Sequence, residues 1–192
     1  MGNRALILAG VKGGGTAGAA LASFAALGTT LPSAAAASLH ANFRDAGWCS
    51  EDGLKKAVSE STTVIRAFGS SAPVRKLVTT SETTFELVML ESNPTAIEVY
   101  NRKALDSITV DDDGLFDFTE GEPETVQMAA VFDLVDGPNR IRGVVPILEV
   151  TDRKEFSIKA SEGVTYGVTM TAYPGEDGVA IHWYYSIPAL GN

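Results

Sequence analysis

From residue 61 onward the apolar residues of this chain recur with a period of two, and that pattern restricts the backbone more than any other feature. Side chains of an extended strand point alternately to opposite faces. Val64, Arg66 and Phe68 oppose Thr63, Ile65 and Ala67, and Phe85, Leu87 and Met89 oppose Glu86, Val88 and Leu90. Val126, Met128, Ala130, Phe132 and Leu134 share one face of a later strand, which ends at the hairpin signal Asp136-Gly137 before residues 141–150 return. Proline cannot donate to a ladder, so Pro146 predicts an edge position or a bulge in the return strand. A last hairpin is expected from residues 164–173 and 179–187, joined by Pro174-Gly175-Glu176-Asp177-Gly178. Its second strand would lay Trp183 and Tyr185 over the core and turn His182 and Tyr184 outward.

Three segments depart from simple alternation. Residues 74–90 carry Thr79, Thr80, Ser81, Glu82, Thr83 and Thr84 between two apolar arms, which predicts a long projecting hairpin with that polar stretch at its tip. Ser92 or Asn93 can cap a helix in which Pro94 takes the first position and Ala96, Ile97 and Tyr100 share a face. That helix is expected near residues 93–103. Residues 13–39 are uncharged, alanine-rich and broken by Gly13, Gly14, Gly15, Gly18, Gly28 and Pro32. Such a run is too dilute in apolar side chains for a membrane span. A signal peptide fits poorly, because the apolar run 5–11 is short and ends at Lys12, and Leu6 stands where myristoylation wants Ser or Thr. The expectation is a strand at 5–11 followed by an extended arm over about 11–41, with residues 17–27 as an alternative short helix because alanine favours helix. The fold class is mainly β, an antiparallel sandwich or barrel with one α-helix, a long hairpin and an N-terminal arm. Residues 1–192 form one domain with its body at 42–192.

Composition narrows the function. At 192 residues and 45% apolar the chain can fill a core, which excludes general disorder. Its formal charge of −9 argues against a conventional nucleic-acid or anionic-membrane binder. The single cysteine, Cys49, excludes an internal disulfide framework. The charge is concentrated: ten acids and no base lie between Lys103 and Arg140, and the rest of the chain carries fourteen acids against fifteen bases.

No catalytic constellation emerges, and neither an enzyme nor a cofactor is expected. In Val11-Lys12-Gly13-Gly14-Gly15-Thr16 the lysine precedes the glycines, whereas a phosphate loop needs Gly-Lys-Ser/Thr at a helix start. Residues 109–120 set Asp111, Asp113, Gly114, Asp117 and Glu120 at calcium-loop spacings, but Thr109 fills the first position and no amphipathic helices flank it. A solvated acidic loop is the expected reading. Cys49 lacks an identifiable base, and pairs such as Glu51-Asp52 or Glu122/Glu124 are ordinary surface carboxylates.

The block Phe43-Arg44-Asp45-Ala46-Gly47-Trp48-Cys49-Ser50-Glu51-Asp52-Gly53-Leu54 is followed by Thr63-Val64-Ile65-Arg66-Ala67-Phe68-Gly69, Val74-Arg75, Thr84-Phe85-Glu86-Leu87 and Leu90-Glu91-Ser92-Asn93. In that order and spacing it resembles the major tail tube proteins of long-tailed, non-contractile bacteriophages. Gly28-Thr29-Thr30-Leu31-Pro32 is similar to that family's Gly-Thr-x-x-Pro element, and residues 131–137 and 166–172 are similar to downstream elements. Cys49 replaces a residue that is often β-branched or small, and residues 111–124 find no firm match.

The resemblance implies a virion structural protein, made in the host bacterial cytoplasm, whose hexameric rings stack into a hollow tube for DNA passage. It implies contacts with other copies of itself, with tail terminator and tail tip proteins, and with the tape-measure protein in the lumen. DNA would pass without specific binding, and no membrane is involved. Assembly residues are then expected at Ser81, Glu82, Thr83, Thr84, Gly28, Thr29 and Pro32. Asp111, Asp112, Asp113, Asp117, Glu120, Glu122 and Glu124 would form a luminal or external acidic surface. A head-tail completion protein or a capsid decoration protein is the alternative.

Overall fold

A computed structural model describes residues 21–122 and 124–191; the strand expected at 5–11 and the glycine-rich stretch after it lie outside the described residues. Eight strands form one antiparallel sheet. They are β1 (Ala22–Ala26), β2 (Arg44–Asp45), β3 (Lys55–Arg66), β4 (Pro73–Met89), β5 (Gln127–Asp136), β6 (Asn139–Arg153), β7 (Tyr166–Tyr173) and β8 (His182–Ser186). The order is β2-β1-β5-β6-β7-β4-β3, with β8 also paired to β6. One α-helix, α1 (Pro94–Tyr100), follows β4.

The sheet curls around its core. Phe85 of β4 and Phe132 of β5 stack with ring centroids 4.8 Å apart. In a flat sheet two intervening strands would hold them about 14 Å apart. The segment after β2 completes the closure: the Ala46 amide donates to Ala22 of β1, and Cys49 then bridges Met89 of β4. The chain thus crosses from one side of the curl to the other. Phe24, Leu87, Met128, Leu148, Val168 and Met170 fill the interior with the two rings.

Helix α1 matches its sequence signals. The Asn93 side chain accepts the Ala96 amide at 2.8 Å, Pro94 opens the first turn and Asn101 closes the helix. All of 95–100 is buried, including Glu98. A helix of this length is not stable alone; packing against β6 and β7 holds it in place.

The β5–β6 hairpin turns at Gly137 and Pro138, with Asp136 opposite Asn139 and Gly137 at φ +57°. Glycine meets the positive φ that such a tight turn requires. Pro146 occupies a bulge, where the register against β5 shifts. It is not on an edge: β6 pairs with β8 through Arg140–Val144, then with β7 from Ile147 onward. Proline falls in the gap between the two partners, where no amide proton is called for.

Three expectations are corrected. Residues 22–26, read as part of an arm or of a short helix, are the buried strand β1 between β5 and β2. Alanine gains no tertiary contact in an isolated helix, whereas here Ala22, Phe24 and Ala25 are wholly buried. Strands β7 and β8 do not form a hairpin with each other; they lie end to end along β6, separated by residues 174–181. On β8, Trp183 pairs with Gly143 and so shares the face of Phe132, yet Trp183 and Tyr185 remain exposed while His182 and Tyr184 are half-buried. No strand lies beyond β8 among the described residues to cover that end.

Candidate functional site

The long hairpin exists, but its tip is elsewhere. Residues 74–89, expected to turn at Thr79–Thr84, run straight through as β4, and the turn lies between β3 and β4 at residues 67–72. Threonine is β-branched and prolongs a strand. Gly69, at φ +79°, and the two serines after it supply the turn chemistry. Strand β4 pairs with β7 from Thr83 to Met89 and only with β3 before that. The ribbon therefore leaves the body at Ser81 and Glu82. These two residues, with Thr83 and Thr84, form the base of the projection; Thr171 Oγ1 and Glu82 Oε1 hydrogen-bond across it at 3.2 Å.

Beyond the base both edges of the ribbon are open among the described residues, and β3 is open along its full length. Unpaired edges template further strands. Bulges at Ser61/Thr62 and Ile65/Arg66 add twist. Val58, Ile65, Phe68, Val74 and Val78 are exposed, and Phe68 at the tip is wholly so. From Ser61 to Ser81 the ribbon holds Arg66, Arg75 and Lys76 and no acid. None of the three basic residues forms an ion pair among the described residues.

The Gly-Thr-x-x-Pro element turns the chain after β1. Gly28 takes φ +85°, Thr29 returns both its amide and its hydroxyl to the Ala26 carbonyl, and Pro32 is buried. The alanine run that follows is held through its backbone. Arg142 donates to the Ala34 and Ala37 carbonyls at 3.2 and 2.6 Å, and Arg140 to Ala35 at 3.4 Å. Arg142 also meets Asp133 with two 2.7 Å bonds, and both side chains are buried. Bidentate geometry repays part of the cost of removing the two charges from water. One acid of the acidic window is thus neutralised inside the fold.

A second buried carboxylate, Glu98 of α1, accepts from Arg44 at 3.0 Å and from the Ile108 amide at 2.8 Å, and Arg44 reaches on to Asp106 at 2.7 Å. This ties β2, α1 and the start of the acidic segment together. Among the described residues the segment lacks helix and strand over 103–122 and 124–126. Asp111 organises one turn by accepting the Asp113 and Leu115 amides, and Asp112, Asp113, Asp117, Glu120, Glu122 and Glu124 are exposed. Among the described residues no group of three or more His, Cys, Asp or Glu could hold a metal ion.

Cys49 sits among Asp45 and Glu91. Burial, then those two carboxylates, pushes its thiol up from 9.0 to about 12. It stays protonated at neutral pH, the opposite of an activated nucleophile. Beside it Gly47, at φ +80°, leaves room for the Glu91 carboxylate, which a Cβ would strike and which accepts the Trp48 amide at 2.6 Å. The Gly-Trp-Cys stretch is a closure element. No helix among the described residues is long and apolar enough to cross a membrane.

At the opposite end of the body from the ribbon lies a groove of about 560 Å³. Tyr100, Phe118, Phe156 and Tyr166 line it, with Glu120 and Arg153 at its margin. Tyr100, Phe156 and Tyr166 form a mutual ring cluster with centroids 5.6–6.2 Å apart. Arg153 lies over the Tyr100 ring at 5.6 Å. Glu120, Glu122 and Glu124 border an adjoining depression with Arg102, Lys103 and Arg153.

A curled sheet with an open-edged projecting ribbon has the features of a structural assembly protein. A family model described as "Phage tail tube protein" matches residues 15–188, and the chain belongs to that family. It is a structural component of a virion tail. No curated protein matches the chain. Among solved structures, a chain from the "Virion of native gene transfer agent (GTA) particle" is similar at TM-score 0.41 and 7% identity, covering 77% of this chain and 92% of that one.

Proposed function

We propose that the protein is the major tail tube subunit, that it assembles into hexameric rings, and that the rings stack into a hollow tube through which DNA passes. The observation that carries this reading is the β3–β4 ribbon, which exposes apolar side chains and two open strand edges to solvent without a partner among the described residues. A stable contact buries roughly 1,600 Å² in total, and an extended ribbon offers such area at little cost to the body. Edge contacts that close by rotation give rings; those that do not close give filaments. The tube's ends would meet terminator and tip proteins, and its lumen the tape-measure protein.

The same assembly suits a conduit. A single exposed lysine–phosphate attraction of about 0.5 kcal/mol per ring, summed over tens of rings, would hold DNA fast. A net negative wall avoids this and acts within a Debye length of about 8 Å. Negative-stain microscopy of the purified full chain tests the reading. Hollow tubes of uniform diameter are expected, whereas single rings or monomers at every concentration and salt would overturn it and favour a completion or decoration role.

A further inference from the structure

We infer that Arg102, Lys103 and Arg153 form a phosphate-binding site for duplex DNA, which the chain keeps shut with its own Glu120, Glu122 and Glu124. This rests on the conduit reading above and deepens it, naming the patch of the body that would otherwise hold DNA and the residues that prevent it.

Two elements bring the three bases together. Where α1 ends, the Arg102 amide donates to the Val99 carbonyl at 3.2 Å and the Lys103 amide to the Glu98 carbonyl at 2.8 Å. Arg102 takes φ +53°, which is uncommon for a residue with a side chain, and its Nη2 donates to the Thr151 carbonyl of β6 at 2.8 Å. That bond brings it to the end of β6, where Arg153 follows two residues later. Arg102 Nε is buried without a hydrogen-bond partner among the described residues. Buried donors are normally paired, so this one marks a place for an acceptor that the described chain does not supply.

The covering acids face these bases without bonding to them. Glu120, Glu122 and Glu124 border the same depression of about 40 Å³ as the three bases. None of the six is in an ion pair among the described residues. Three charges of each sign therefore cancel across the depression, through solvent, in a cover that is held weakly. The sequence builds this cover in one stroke. Lys103 is the last base before a window of ten acids and no base, so the chain leaves the basic cluster and returns to it as carboxylates. Nearby bases are engaged elsewhere: Lys154 faces Glu86 at 3.9 Å, and Arg44 is held by Glu98 and Asp106. A phosphate that replaced a glutamate here would release its counterion, and three such contacts give a slope of roughly −3 in affinity against salt on logarithmic scales. One patch per subunit, repeated along a tube, would add many weak contacts into a strong one.

Neutralising the cover in the full chain tests the site. One variant carries Glu120→Gln, Glu122→Gln and Glu124→Gln. A control carries Asp112→Asn, Asp113→Asn and Asp117→Asn, the same change in net charge in the same segment but away from the rim of the depression. All six acids are exposed, and thermal melts matching the unmodified chain show that both variants fold. Binding is read from the fluorescence anisotropy of a labelled DNA duplex at low salt, with protein below the concentration at which it assembles. The glutamine variant should bind at least about tenfold more tightly than the unmodified chain, with a gain that fades as salt rises. The asparagine control should gain less than about threefold. Adding Lys103→Gln and Arg153→Gln to the glutamine variant should abolish its gain. Arg66, Arg75 and Lys76 of the ribbon are present in every variant and cancel in the comparison. A glutamine variant that gains no more than the control, or a gain that survives loss of the two bases, would overturn the inference while tubes in the microscope left the conduit reading intact. The expected gain without tubes would keep the covered site and overturn the conduit.

Discussion

Strand β4 holds two apolar regions of one continuous strand that behave differently in space. From Phe85 to Met89 it alternates with Phe85, Leu87 and Met89 buried; from Val74 to Val78 the apolar residues Val74, Leu77 and Val78 fall on both faces, and the valines are exposed. Pairing with β3 covers the second region, between two bulges, and reaches the first only as far as Glu86. What changes is the other side of the strand: β7 accompanies β4 only from Thr83 onward, and the curl of the sheet brings Phe132 over Phe85 alone. Apolar residues on a paired strand become core only where a second layer covers them.

Substitutions along β4 and its neighbours should separate these regions by size of effect. The largest is expected for Phe85→Ala, which removes a wholly buried ring stacked on Phe132. A loss of about 3–5 kcal/mol follows from the transfer and cavity terms together, measurable by urea unfolding of the non-assembled chain. A change under about 1 kcal/mol would mean that the curl is looser than the 4.8 Å ring contact requires.

Between the extremes stands the junction of body and groove. Asn93 caps α1 through the Ala96 amide, and its amide group also donates to the Ala46 carbonyl at 3.2 Å in the closure segment. Asn93→Ala should cost about 1–2 kcal/mol, the range for a lost cap. Urea unfolding of the non-assembled chain checks it, and a loss under about 0.3 kcal/mol would mean that the cap contributes nothing.

Legibility in the sequence followed the same divide. Alternation located β5 and β6 and their Asp136-Gly137 turn, and local cap chemistry located α1, because both signals are written in neighbouring residues. Strand β1 was hidden: Ala22, Ala25 and Ala26 are compatible with helix, strand or arm, and only the distant β5 decides among them. The ribbon's tip was misplaced for a related reason, since polar threonines resemble a turn until their branching is weighed against Gly69. Arg142, Asp133 and Glu98 gave no sequence signal at all. They are charged residues whose burial is fixed by partners across the sheet or on another element. The acidic window was legible as a charge asymmetry, but its internal division was not. Asp133 is buried against Arg142 and Asp106 is paired with Arg44, while Asp112, Asp113, Asp117, Glu120, Glu122 and Glu124 face solvent.

The smallest effect on the folded chain, and the sharpest contrast with Phe85, is expected for Val78→Thr. The substitution keeps the β-branched shape that suits a strand, at a position where Val78 is 59% exposed and paired only with Thr62. Stability of the free chain should shift by no more than about 0.5 kcal/mol. In the assembled state the ribbon is proposed to be covered, and there the hydroxyl replaces a methyl group in a contact that offers it no partner. A buried hydroxyl without a hydrogen bond costs about 1–3 kcal/mol, equivalent to roughly a five- to hundredfold rise in the concentration needed for association. Urea unfolding and sedimentation of one preparation therefore give opposite answers for Phe85 and Val78 if body and ribbon divide the work as described: a stability defect for the first, an association defect for the second. If Val78→Thr left both measurements unchanged, this stretch of the ribbon would be solvent-facing in the assembly. The contact would then have to lie nearer the tip, at Phe68 and Val74, the next exposed apolar residues toward the turn.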